Sequence, residues 1–259
     1  MFDLHAHIIP SVDDGPGDWD TSLGMLKRAV DDGIRGIVVT PHRVPGLYDN
    51  TRDGIIPLAR ELGERAKARG LPIAVYPGCE LAVSAETAED VKNKDCCTIN
   101  SGRYLLTELP PRFSGNVRDF ISLATAAGLV PLIAHPERNP QILNDIEALY
   151  ELAGLGALMQ VTAASLTGLF GEDPMCFARE MLERRLVHVV ASDAHDETYR
   201  PPVLSEARAE VSRLAGEKAA RAMFEERPLK IINDESFTVP EPARPRKTLL
   251  FFSDTPFFD

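Results

Sequence analysis

Five of the six histidines stand where a metal cluster would use them: His5 and His7 in "DLHAH", His42 in "VVTPH", His135 in "PLIAHPER" and His195 in "VVASDAH". Each closes a short apolar run of strand character, so imidazoles far apart in the chain can meet at one end of a sheet or barrel. Side chains of a strand alternate with period two, so His5 and His7 share a face, and Asp193 and His195 repeat that spacing. Glu80 and Glu108 also end apolar runs, where a carboxylate needs something positive to meet it. Asp13 and Asp14 fit ordinary turn chemistry in "DDGPG" as well; one of them is expected as a further ligand, with Asp14 favoured. His188 lies inside its apolar run rather than after it and reads as a core histidine.

Neutral imidazoles with carboxylates suit Mn, Fe or Zn better than a thiolate set would. Clustered ions of this kind make hydroxide near neutral pH and clamp an oxyanion, which is what hydrolysis of a phosphate ester requires. Three arginines beside the ligands point to phosphate: Arg43 follows His42, Arg138 lies three after His135, and Arg200 five after His195. A guanidinium fork matches two phosphate oxygens at once. One segment argues for a different phosphatase, since Cys97 to Arg103, "CTINSGR", has the C-x5-R spacing of a thiolate phosphatase loop. That loop needs a strand before the cysteine and a helix after the arginine, so that amides and the helix dipole lower the thiol pKa and bind the anion. Here a charged stretch precedes and a strand follows, so Cys97 is read as non-catalytic.

The elements that must position these groups alternate along the chain. Strands are expected at 2–7, at "GIVVT", "PIAVYPG", "RYLLTE", "LVPLIA" and "GALMQV", and at "LVHVVAS" before Asp193. Helices are expected near 19–32, 53–69, 115–127, 140–153 and 173–185, the first with Trp19, Leu23, Leu26 and Val30 on one face and Gly33 as its stop. Alternation of this sort means parallel strands with helical crossovers. A distorted, TIM-like (β/α)7 barrel explains why polar residues follow the strands, because loops at that rim assemble active sites. An open doubly wound sheet is the alternative. The division expected is a barrel domain over 1–236 and a Pro- and Phe-rich tail over 237–259, extended by its prolines, with Phe251, Phe252, Phe257 and Phe258 available to dock on a partner or a second subunit as a homo-oligomer.

The chain has 259 residues, 44% of them hydrophobic, and a net charge of −11. That length can bury a single large core. The acidic balance argues against a nucleic-acid partner, which needs a basic face, and suits divalent cations. No leader is read at the amino terminus, no apolar stretch approaches a membrane span, and the four cysteines lack zinc-finger spacing, so a cytoplasmic protein without membrane insertion is expected.

The set "DLHAHIIPSVDDGP", "VVTPH", "GCE", "LLTELP", "IAHPER" and "HVVASDAH" followed by "RPP" resembles the polymerase-and-histidinol-phosphatase (PHP) family. Within it, the chain is similar to the bacterial manganese-dependent protein-tyrosine phosphatases of capsule and exopolysaccharide operons, over about residues 1–233. The resemblance implies the PHP fold and three divalent ions, Mn before Fe or Zn. His5, His7, Glu80, His135 and Asp193 would hold part of the cluster, and Asp14, His42, Glu108 and His195 would complete it. Arg138 and Arg200 match the family's phosphate-binding arginines; Arg43, by its place directly after His42, is expected as a further substrate contact. The implied reaction is attack by a metal-bridging hydroxide on phosphotyrosine in the tail of a bacterial tyrosine kinase, with Asp193 or a rim histidine sharing the proton transfer. Competing readings are a PHP phosphoesterase for a small molecule such as histidinol phosphate, a silent scaffold, and an amidohydrolase.

Overall fold

The computed structural model describes residues 1–244; the four phenylalanines of the expected docking segment lie outside the described residues. Strands β1 (Phe2–Ala6), β2 (Gly36–Val39) and β5 (Ala74–Pro77) pair in parallel in the order β1-β2-β5. A second sheet holds β3 (His42–Val44), β4 (Tyr48–Asp49), β6 (Glu80–Ala82), β7 (Tyr104–Glu108), β8 (Val130–Ala134), β9 (Leu158–Thr162) and β10 (Val189–Ala191), in the order β10-β9-β8-β7-β6-β3-β4. Its ladders are parallel except for the β3–β4 hairpin. Helices α1 (Trp19–Asp31), α2 (Arg52–Ala68), α3 (Ala85–Asn93), α4 (Gly115–Ala126), α5 (Glu147–Gly154), α6 (Ala163–Thr167), α7 (Glu172–Glu183), α8 (Ser205–Ala215), α9 (Glu217–Arg221) and α10 (Arg227–Ile232) lie between and after the strands. The fold is mixed α/β.

The second and third expected strands, "GIVVT" and "PIAVYPG", are each followed by a further short strand that was not expected, β3 and β6, for local reasons. Pro41 has no N–H to continue a ladder, so β2 ends and the chain enters the second sheet as β3. Between β5 and β6, a Cβ on Gly78 would lie 2.8 Å from Val38 Cγ1, so the strands approach there only because the residue is glycine. The first and last strands are joined at the edge. Asp193 N donates to His5 O at 2.8 Å and His7 N to Ala194 O at 2.8 Å, around an isolated parallel bridge between Ala6 and Ala194. Asp3 ties the same seam, accepting from Ser192 N at 3.0 Å and Ser192 Oγ at 2.5 Å. Burial pushes its carboxyl up to about 6, against the pull of those Ser192 hydrogen bonds.

Beneath that seam, Leu4, Val38, Leu106, Leu132, Leu158 and Val189, one from each of six strands, pack in a single apolar cluster with Ile231 and Ile232 of α10. A larger cluster lies between the strands and the outer helices. Helix α1 begins where Asp18 accepts from Thr21 N at 2.8 Å and buries Leu23, Met25, Leu26 and Ala29. The expected helix over 140–153 is corrected: the Asn139 side chain accepts from Gln141 N and Ile142 N, making a turn that holds 142–144 in a 3-10 helix, and α5 starts only at Glu147. His188 is buried as expected, its Nδ1 accepting from Met159 N at 2.8 Å, and burial with the nearby Arg227 cation lowers its pKa to about 4. Past α10 the described residues form no helix or strand but are anchored, since Tyr104 Oη donates to Glu235 O and Tyr150 Oη to Ala243 O.

Candidate metal centre

All nine expected ligands come together where the strands end. They fall into four overlapping groups whose donor atoms lie within 4.8 Å of one another: His7, Asp14, His42 and His195; His5, His7 and Asp193; His5, Glu80 and His135; His42, Glu80 and Glu108. The two histidines of β1 and its exit are aimed by their outer nitrogens. His5 Nδ1 donates to Gln160 Oε1 at 2.8 Å and His7 Nδ1 to Asp13 Oδ2 at 2.7 Å, which turns both Nε2 atoms inward, 3.1 Å apart. Such partners behind the ring fix tautomer and orientation of a metal-binding imidazole. Asp13 thus stands behind the His7 ring, and Asp14 is the one of the pair with an oxygen among the grouped donor atoms.

The spacing of the donor set is that of a cation site. Glu80 Oε2 lies 3.3 Å from His5 Nε2 and 3.4 Å from His7 Nε2, and Asp193 Oδ1 lies 3.4 and 3.6 Å from the same two atoms. Ligand bonds of about 2.0–2.2 Å place neighbouring donors of one ion at about such separations. That same Glu80 Oε2 and His42 Nδ1, 3.0 Å apart, are both buried without a hydrogen-bond partner. Orphaned lone pairs facing one pocket are costly unless a cation meets them. The residues present fit divalent metal.

Charge within the cluster follows from crowding. For His7, burial alone would lower the pKa, but the Asp13 and Glu80 carboxylates overcome it and raise the ring to about 10. For His135, burial opposes and Glu80, 2.7 Å from Nε2, prevails, raising it to about 9. Glu80 sits well below the carboxylate range because the surrounding histidines outweigh its burial. Glu108 is pushed up, by burial first and then by the Glu80 charge. Asp193 is held ionised against its burial by His5, His135 and Arg200.

Asp193 also links the centre to two arginines. While Oδ1 faces His5 and His7, Oδ2 accepts from Arg138 Nη1 at 2.5 Å and Arg200 Nη2 at 2.7 Å. Each guanidinium uses one amino nitrogen on this carboxylate, and Arg200 Nε is buried with no partner, so donors remain for an anion. Asp193 and His135 both take positive φ values, 54° and 33°, a strained backbone of the sort found at functional sites. Arg43 is placed differently from the sequence expectation. Strand alternation turns it away from His42, and its guanidinium is held by Asp49 at 2.9 Å and Asp90 at 3.2 Å. It is not brought to the two central arginines.

The family model for "Capsular polysaccharide synthesis, CpsB/CapC" matches residues 1–233. The chain belongs to this family. It is 35% identical over 257 residues to "Tyrosine-protein phosphatase YwqE" of Bacillus subtilis, covering 97% of this chain and 100% of that protein. It is 33% identical to "Tyrosine-protein phosphatase CpsB" of Streptococcus pneumoniae, over 91% and 99% of the two chains. A solved structure described as "Crystal structures of YwqE from Bacillus subtilis and CpsB from Streptococcus pneumoniae, unique metal-dependent tyrosine phosphatases" superposes with a TM-score of 0.89 at 32% identity, covering 95% of this chain and 100% of that one.

Two features of the CpsB/CapC site in this chain escape the sequence. Phe170, in the turn before α7, lies 4.6 Å from the Arg138 guanidinium and 5.9 Å from that of Arg200, so one ring braces both cations. Nothing in a single phenylalanine of a Gly-rich turn signals that role. Gln160 carries His5 from the middle of β9, where only strand parity could have picked it out. The C-x5-R segment forms no phosphate cradle: Cys97 is buried, a 3-10 turn over 99–101 and then β7 follow, and Arg103 is taken by Asp234.

Proposed function

We propose that this chain is a metal-dependent protein-tyrosine phosphatase. It would remove phosphate from tyrosines in the tail of a bacterial tyrosine kinase that governs capsular or exopolysaccharide synthesis. The observation that supports this most strongly is the convergence of nine nitrogen and oxygen donors next to two arginines that share Asp193. The tyrosine-protein phosphatase names of its relatives and the metal-dependent description of the solved structure agree with it. The proposed cofactor is three divalent ions, Mn in first place, since mixed imidazole and carboxylate sets suit it and the donor groups overlap at His5, His7, His42 and Glu80. When bound, they supply Lewis acidity and lower the pKa of the water that attacks phosphorus. We further propose that the two sheets work as one distorted (β/α)7 barrel spanning 1–236. The seam at Ala6 and Ala194 and the apolar cluster drawing on six strands support that reading. Among the described residues no helix is long and apolar enough to cross a membrane, and a cytoplasmic setting beside the kinase tail is proposed.

In this account the residues have separate tasks. Arg138 and Arg200 bind the phosphoryl oxygens and meet the negative charge that grows in the transition state. Asp193 fixes both guanidinium planes through Oδ2 and stays ionised, so it orients groups rather than donating a proton. The departing tyrosine oxygen needs little help from an acid, because its conjugate acid has a pKa of about 10. The reading is tested by turnover of phosphotyrosine peptides by the purified chain. Mn²⁺ should restore activity that a chelator removes, and Cys97→Ser should leave it in place. Turnover that ignores the chelator but vanishes in C97S would reverse the assignment.

A further inference from the structure

The metal centre opens on one side into a cleft of about 540 Å³. Its charged end is made by His42, Glu108, His135 and Arg138. Away from that end the walls turn apolar: Val44, Leu47 and Tyr48 of the β3–β4 hairpin on one side, Leu109 and Pro110 after β7 on the other. Leu47 is 69% exposed, a large apolar side chain left in water at the lip of a polar site. The hairpin is held in place from several directions. Tyr48 stacks on His42 with ring centroids 5.6 Å apart and 12° between planes, Arg43 grips Asp49, and Asn50 Nδ2 donates to His42 O at 2.8 Å.

We propose that this cleft is the slot for the phenyl ring of the substrate, and that Val44, Leu47 and Leu109 select an aryl phosphate over an alkyl one. The inference rests on the phosphatase reading above and adds to it a leaving-group subsite. A phosphoryl group held by Arg138 and the metal donors has its ester oxygen directed to the open side, and the cleft is the open side that shares His42, Glu108 and His135 with the centre. An aromatic ring entering there leaves water for contact with aliphatic side chains on both walls. A phosphoserine, with one methylene beyond its oxygen, reaches little of that surface. Because the hairpin wall is braced before substrate arrives, little ordering cost on that side opposes ring burial.

The experiment uses the full chain loaded with Mn²⁺ and measures binding of phenylphosphonate and of inorganic phosphate by calorimetry. Wild type should bind phenylphosphonate the more tightly. Leu47→Asn, at an exposed position that leaves the core untouched, and Val44→Thr, of nearly equal volume, should each reduce that preference by about tenfold, the size of effect expected for lost apolar contact in a pocket. Equal affinities in wild type, or a preference unchanged in both variants, overturns the proposal. Turnover of a phosphotyrosine peptide by the same wild-type sample reports separately on the phosphatase reading: a ring preference without turnover sinks that reading and keeps the slot, and turnover without a ring preference does the reverse.

Discussion

At the scale of single residues, the centre depends on carboxylates and arginines that each do two things. Asp193 faces the histidines with one oxygen and the arginines with the other. Arg138 and Arg200 can be reduced to lysine without losing charge, but the planar fork is lost. A charge-assisted hydrogen bond is worth about 1.5–3 kcal/mol, so R138K and R200K should each lower kcat/KM on a phosphotyrosine peptide by about ten- to a hundredfold, with metal content measured alongside to separate loss of ions. Phe170 acts through those arginines. A cation–π contact is worth about 0.5–2 kcal/mol, so Phe170→Ala should raise KM by about three- to tenfold more than it lowers kcat, and Phe170→Tyr should recover most of it. Equal KM in wild type and F170A would remove the brace from the account.

At the scale of elements, the seam between β1 and the segment after β10 decides whether His5, His7, Asp193 and His195 stay in register. Asp3→Ala leaves Ser192 N and Oγ without their buried acceptor, a loss of about 1–3 kcal/mol. Melting should fall by roughly 3–10 °C, and an unchanged transition would show that the seam holds without it. Much of this level was legible in the chain. Strand exits after apolar runs found eight of the nine grouped donors, because a buried charge at such a place has few other purposes; Asp14, half exposed in a turn, was only the favoured one of two adjacent aspartates. Less legible were the breaks at Pro41 and Gly78, which depend on how two sheets approach, and α3, whose sequence AETAEDVKN buries little beyond Thr87 and Val91 and so shows no apolar period. The fate of Arg43 depended on Asp90, 47 residues away, and no local pattern could report that.

For the molecule as a whole, protons and metal compete for the same atoms. A histidine whose pKa is raised in the folded state adds stability that is complete below its unfolded value near 6.5 and is lost as pH climbs through the folded value. For His7 and His135 those folded values are about 10 and about 9 in the metal-free chain. The metal-free protein should therefore lose stability between about pH 6.5 and 10, and metal, which needs these rings deprotonated, should bind more tightly over the same interval. Calorimetric titration with Mn²⁺ should show higher affinity at pH 8.5 than at pH 6.5, with protons released on binding. Affinity that is flat or falls with pH would show that the rings are already free. The net charge of −11 works in the same direction, drawing cations toward the acidic surface.

The most direct test is anomalous scattering from crystals of the chain grown with Mn²⁺. The account predicts peaks within bonding distance of His5, His7, Glu80 and Asp193 and of the neighbouring groups built on His42, His135 and His195. A cluster empty at saturating Mn²⁺, in crystals of protein that still hydrolyses phosphotyrosine, would contradict it.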